Sequence, residues 1–153
     1  MEQRFKIFIA YHINEENIAT LLSEYFQNMG IPKEFIYLCG LPSNDGKVNN
    51  IDEINAMLKC SCVNIPILSM KFLESAYCNN LTGAFVFDGE ALLLPVMLPE
   101  ITQNMIYGFI NGFYRTFKLD VSEDIAYIYD VEALVKHIKL FGVIPQTAGM
   151  ILN

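Results

Sequence analysis

Short apolar runs alternate along the chain with stretches where apolar residues recur every three or four positions. Residues 4–11, RFKIFIAY, are apolar, aromatic or β-branched around Lys6, the pattern of a strand buried on both faces. The period then changes. Ile18, Leu21, Leu22, Tyr25, Phe26 and Met29 fall on one helical stripe, which predicts an amphipathic helix. Asn14 stands where a cap belongs, Glu15 and Glu16 suit the positive end of the helix dipole, and Gly30 with Pro32 ends the element. Residues 35–39, FIYLC, predict a second strand. Residues 40–50, GLPSNDGKVNN, have no period and are rich in Gly, Pro, Asn and Asp, so they form a loop. Its unusual length favours a binding role.

The alternation continues. Ile51, Ile54, Met57 and Leu58 give a helix face, and residues 63–68, VNIPIL, a third strand closed by Ser69, although Asn64 and Pro66 are unusual strand residues. Residues 72–87 predict a helix with a break near Gly83. After an Asp88-Gly89 turn, residues 91–98 predict a fourth strand. A helix is expected over 101–114, with Gly108 and Gly112 permitting close packing, and a short fifth strand over 115–119. Asp130 is placed to cap a last helix through Val131, Leu134, Val135, Ile138 and Leu140, ended by Gly142.

Strands separated by helices pair in parallel through crossovers and are covered on both sides. The fold class is therefore α/β: a flavodoxin-like, doubly wound sheet of about five parallel strands with helices on both faces. It forms one domain over residues 1–142, with a tail over 143–153 packed on that domain or on a partner. Ligands of such folds bind at the carboxyl ends of the strands.

Composition narrows the classes. The 153 residues are 53% hydrophobic and 18% charged, a globular rather than a disordered balance. The net charge of −7 and scattered basic residues argue against nucleic acid as a partner. The longest apolar run, over 91–98, is far shorter than the roughly 20 residues of a membrane span. The N-terminus lacks the layout of a secretory signal, so the cytoplasm is the expected compartment. Cys60 and Cys62 are spaced too tightly for a zinc knuckle, and the four cysteines read as buried thiols. No metal and no required cofactor are expected.

Several residues can reach the carboxyl edge. His12 directly follows the first strand and suits phosphate contact or proton transfer as well as a plain capping role. Tyr11 can contact a ligand there, although core or rim is the more usual place for it. Ser43 and Asn44 can meet a ligand or partner, or form a solvated turn. Ser69 and Ser75 stand where hydroxyls cap helices, with nucleotide contact as the sharper role. Tyr77 can stack on a base or simply pack.

Phe8-Ile9-Ala10-Tyr11, an acid at Glu15 or Glu16, Leu41-Pro42 and Gly46, and Leu68-Ser69 recur in order. Phe72-Leu73, Ser75, Tyr77-Cys78, Gly83-Ala84 and Pro95 follow. Together, over residues 5–140, they resemble the bacterial TIR (Toll/interleukin-1 receptor homology) domain family. The resemblance implies one of two activities: NAD glycohydrolase or cyclase chemistry, often in bacterial defence, or signalling through TIR–TIR assembly. Two departures matter. Ala10 replaces the usual Ser, and Leu81, three residues after Cys78, replaces the glutamate that enzymatic members use on NAD.

Cleaving the nicotinamide–ribose bond builds positive charge on the ribose, which a carboxylate stabilises and a leucine does not. Three substitutes are open: Asn80 through an offset of one residue, another acid among Glu74, Asp88 and Glu90, or an acid from a neighbouring chain. The expectation is a non-catalytic or weakly catalytic module that self-associates or binds an NAD-like nucleotide through residues 41–50 and the helix from Ser75. An active NAD-cleaving enzyme with a displaced carboxylate is the alternative. A receiver-like regulatory domain would need an Asp where Ser69 stands.

Overall fold

A computed structural model describes residues 4–108, residue 110 and the backbone of residues 117–118. Strand β1 is Lys6–His12, β2 Ile36–Leu41 and β3 Ser61–Leu68. The short β4 is Leu92–Leu93, β5 Val96–Met97 and β6 Phe117–Lys118. Every pairing is parallel, in the order β2-β1-β3-β5-β6 with β4 also beside β3. This is the α/β, flavodoxin-like sheet.

The expected strand over 91–98 is divided at Pro95, which has no N–H to donate to a ladder. The Leu94 amide still donates to the Asn64 carbonyl at 2.9 Å and the Leu98 amide to the Leu68 carbonyl at 3.1 Å, so both halves stay on β3.

Alternate residues of β1 and β3 feed two cores, as strand geometry requires. Ile7, Ile9, Val63, Ile65 and Ile67 pack against Ala19, Leu22 and Phe26 of α1 (Glu16–Asn28). Phe8, Ala10 and Leu68 pack against Phe72 of α3 (Met70–Glu74) and against Cys78, Leu81 and Phe85 of α4 (Ala76–Phe87). Ile54, Met57 and Leu58 of α2 (Ile51–Cys60) join the second core. Helices thus cover both faces. Each fully buried phenylalanine, such as Phe26 or Phe85, contributes about 1.5–3 kcal/mol. Phe8 also meets Tyr37 and Phe85 edge-on at 5.1 and 5.3 Å. Asn64 is the exception: it is wholly buried in β3, and neither side-chain polar atom has a hydrogen-bond partner.

Four local expectations change. Asn14 does not cap the first helix; the His12 ring accepts its N–H instead, starting a 3-10 turn over Ile13–Glu15 before α1. Leu21 is 52% exposed, so the buried stripe of α1 is narrower than the apolar spacing suggests. The helical break falls at Ser75, extended at φ −90° and ψ 123°, while α4 runs unbroken through Gly83. The helix expected over 101–114 is absent from residues 101–108. Thr102 is extended, a 3-10 turn spans Gln103–Met105, and Gly108 takes φ 84°, which a right-handed helix does not.

The fifth strand appears as β6, paired with β5. The last helix, from Asp130, and the tail lie outside the described residues. Among those described, no helix is long and apolar enough to cross a membrane.

Candidate functional site

At the carboxyl edge of the sheet β1 hands the chain to the Ile13–Glu15 turn and β2 hands it to the loop over residues 42–50. That loop folds back on itself. The Gly46 amide donates to the Ser43 carbonyl at 2.9 Å. A Cβ on Gly46 would sit 2.5 Å from the Pro42 Cβ, so this close return needs glycine.

His12, last in β1 and only 2% exposed, lies under this loop. Its Nδ1 accepts the Asn14 amide at 3.1 Å. The proton of the neutral ring is therefore on Nε2, which donates to Ser43 Oγ at 2.8 Å. Burial pushes the His12 pKa below its ordinary value, and the Lys71 ammonium adds to the effect.

The other side of the loop is tied to the junction of α3 and α4. Ser75 Oγ donates to the Pro42 carbonyl at 2.8 Å and accepts the Cys78 amide at 3.3 Å. Asn44 Oδ1 accepts the Ala76 amide at 2.6 Å, and its Nδ2 donates to the Glu74 carbonyl at 3.2 Å. The Tyr77 hydroxyl donates to the Gly46 carbonyl at 2.8 Å. His12, Ser43, Asn44 and Tyr77 are thus brought together, and their polar atoms hold the loop.

The remaining two candidates stand apart. Ser69 is wholly buried and caps α3 by accepting the Phe72 amide at 3.1 Å. Tyr11 is 5% exposed in the first core, and a Cβ on Gly40 would come within 3.0 Å of its ring. Burial, then Glu16 and Cys39, raise its phenol pKa.

Beside the loop lies an apolar groove of about 250 Å³. Leu41 and Val48 line it with Ile51 and Ile54 of α2 and with Tyr77, Asn80, Leu81 and Ala84 of α4. Leu81 is 9% exposed there. Asn80, the amide considered for a one-residue offset, lines the same groove. A second hollow of about 360 Å³ follows another side of α4, past Leu73, Gly83, Val86 and Tyr107.

Two of the substitute acids are at the wrong end. Asp88 and Glu90 pair with Arg4 at 2.6 and 3.3 Å. Arg4 also donates to the carbonyl of Ser61, the first residue of β3, which places this cluster at the amino edge of the sheet. Glu74 is exposed at the end of α3, and only its backbone carbonyl joins the loop network.

An unforeseen pair is Glu15 and Glu100. Burial and the charge of Glu100 raise the Glu15 carboxyl above its usual range. Each residue follows a strand end closely, but they are far apart in sequence, and only the parallel sheet brings their charges into range. Among the described residues no three His, Cys, Asp or Glu side chains gather as metal ligands. None of the four cysteines forms a disulfide. Burial pushes Cys39 to about 12 and Cys62 and Cys78 to about 11, so these thiols are poor nucleophiles at neutral pH.

No protein-family model matches the chain, and no curated protein matches it in sequence.

Proposed function

We propose that this protein is a TIR-type signalling or defence module of the cytoplasm. It works by assembling with other TIR domains, or by binding an NAD-like nucleotide, rather than by cleaving NAD. The observation that carries this reading is the setting of Leu81. Its side chain, 9% exposed, lies beside Leu41, Val48, Ile51 and Ile54 on the wall of the groove, where a carboxylate would be largely desolvated. Ile51, 63% exposed on the groove's edge, is apolar surface suited to a protein contact. The loop and α4 meet at this groove, so one surface serves both assembly and ligand contact.

The alternative, an NAD-cleaving enzyme with a displaced carboxylate, is favoured by one observation. Glu15 stands at the carboxyl edge, where burial first and the charge of Glu100 second raise its pKa. An acid from a neighbouring chain is the other route to it.

Purified protein is incubated with NAD, dilute and then concentrated on beads, and nicotinamide is measured. The expected result is no release above a heat-treated control. Release at an enzymatic rate that Glu15→Gln abolishes would replace this reading with the enzymatic one. Light scattering over a concentration series supplies the positive arm: self-association that Ile51→Asp weakens.

A further inference from the structure

The loop over residues 42–50 is held unevenly. Toward the α3–α4 junction it has four hydrogen bonds, made by Ser75, by Asn44 twice, and by Tyr77. Toward β1 the bond between His12 and Ser43 is the side-chain tie found among the described residues. We propose that the His12–Ser43 bond is a proton-operated latch, closed while the imidazole is neutral and released when it gains a proton.

The chemistry follows from the tautomer. With the ring neutral, Nδ1 is an acceptor for the Asn14 amide and Nε2 a donor to Ser43 Oγ. A second proton must go on Nδ1, where it would face the Asn14 N–H. Two donors cannot share that contact. Relieving that clash by turning the ring about its Cβ–Cγ bond carries Nε2 away from Ser43 Oγ. Pro42 and Asn44 stay fixed to the α3–α4 junction on either side, and Ser43 alone is released from β1, which frees Nε2 of His12, now 2% exposed, at the edge where doubly wound folds receive ligands.

The surrounding groups set the direction. Lys71, at the start of α3, is the charged side chain acting on the ring, and it opposes protonation. The loop offers Ser43, which does not titrate. The adjoining turn offers Glu15, which interacts with Glu100, and β1 offers the Tyr11 phenol, whose raised pKa keeps it neutral. The latch is therefore closed at neutral pH and opens on acidification. It operates whether or not the domain assembles or binds NAD.

The test is hydrogen exchange of the full chain at pH 7.5 and at a pH below the His12 transition, corrected for the intrinsic pH dependence of exchange. Histidine ring NMR follows His12 over the same range. Protection of residues 42–50, including the Gly46 amide, should fall roughly 2- to 12-fold as His12 titrates, the equivalent of one ordinary hydrogen bond. Ser43→Ala should show the lower protection at both pH values. Lys71→Gln should move the transition to higher pH. Unchanged protection while His12 titrates would overturn the latch, as would wild-type protection in Ser43→Ala. Parallel loss of protection in β3 would also overturn it, because the opening would then be global.

Discussion

Asn64→Leu should make the protein more stable. Asn64 lies midway along β3, in register between Phe8 of β1 and Leu93 of β4. It is wholly buried, and both its amide nitrogen and its carbonyl oxygen lack partners. A buried polar group without a hydrogen bond costs about 1–3 kcal/mol. Leucine keeps the branched outline of asparagine and leaves no cavity, but it is the bulkier side chain, so crowding around β3 cancels part of the benefit of removing that cost. The expected net gain is therefore at the low end of that range, about 1 kcal/mol. In a chain of this length each kcal/mol moves Tm by roughly 2–4 °C. Urea unfolding followed by circular dichroism should show a higher midpoint at unchanged slope, since the surface exposed on unfolding hardly differs. A neutral or lower midpoint would refute the reasoning. It would mean that the Asn64 amide is satisfied in solution, by a trapped water for instance.

Two further outcomes are open to the same unfolding assay. Gly46→Ala should cost about 1–3 kcal/mol by forcing the loop off Pro42, while Gly83→Ala, with open space around it in α4, should gain about 0.5–1 kcal/mol; equal effects would refute the packing account. Stability should also fall at alkaline pH. Buried Cys39, Cys62 and Cys78 titrate higher folded than unfolded, so their contribution is whole below the unfolded value of about 8.5. It is lost as pH climbs toward 11, and Cys78→Ala should flatten that decline between pH 8 and 10.5.

The parallel sheet was legible because β1, β2 and β3 are mostly apolar runs, interrupted in β3 by Asn64, and buried strands read that way. The stripe of α1 was legible for the matching reason. What misled was punctuation. Gly83 looked like a break, but nothing near it disturbs the helix, whereas Ser75 ends one helix and starts another through a bond to Pro42, 33 residues away. The helix expected from residue 101 is replaced by an extended Thr102 and a 3-10 turn, which still deliver Ile101 and Ile106 to the core. At the site, the carboxyl-edge rule rightly grouped His12 with the loop. That their polar atoms would bind one another needs distances that no pattern carries. Asp88 and Glu90 looked near Leu81, but the rest of α4 carries the chain about 10 Å back toward the amino edge at 1.5 Å per residue.

Ser75 has one more consequence. Because its hydroxyl is pinned to Pro42 and its backbone starts α4, it sets the angular origin of that helix. Leu81 faces the groove because it stands six positions from that origin. One residue inserted between them would turn every later side chain by about 100° and bring a different neighbour round. Insertions before Ser75 would leave that phase untouched. Changes in length on the two sides of this serine therefore act differently on the groove, whose character can switch through a single residue inserted or deleted after Ser75, without any substitution at Leu81.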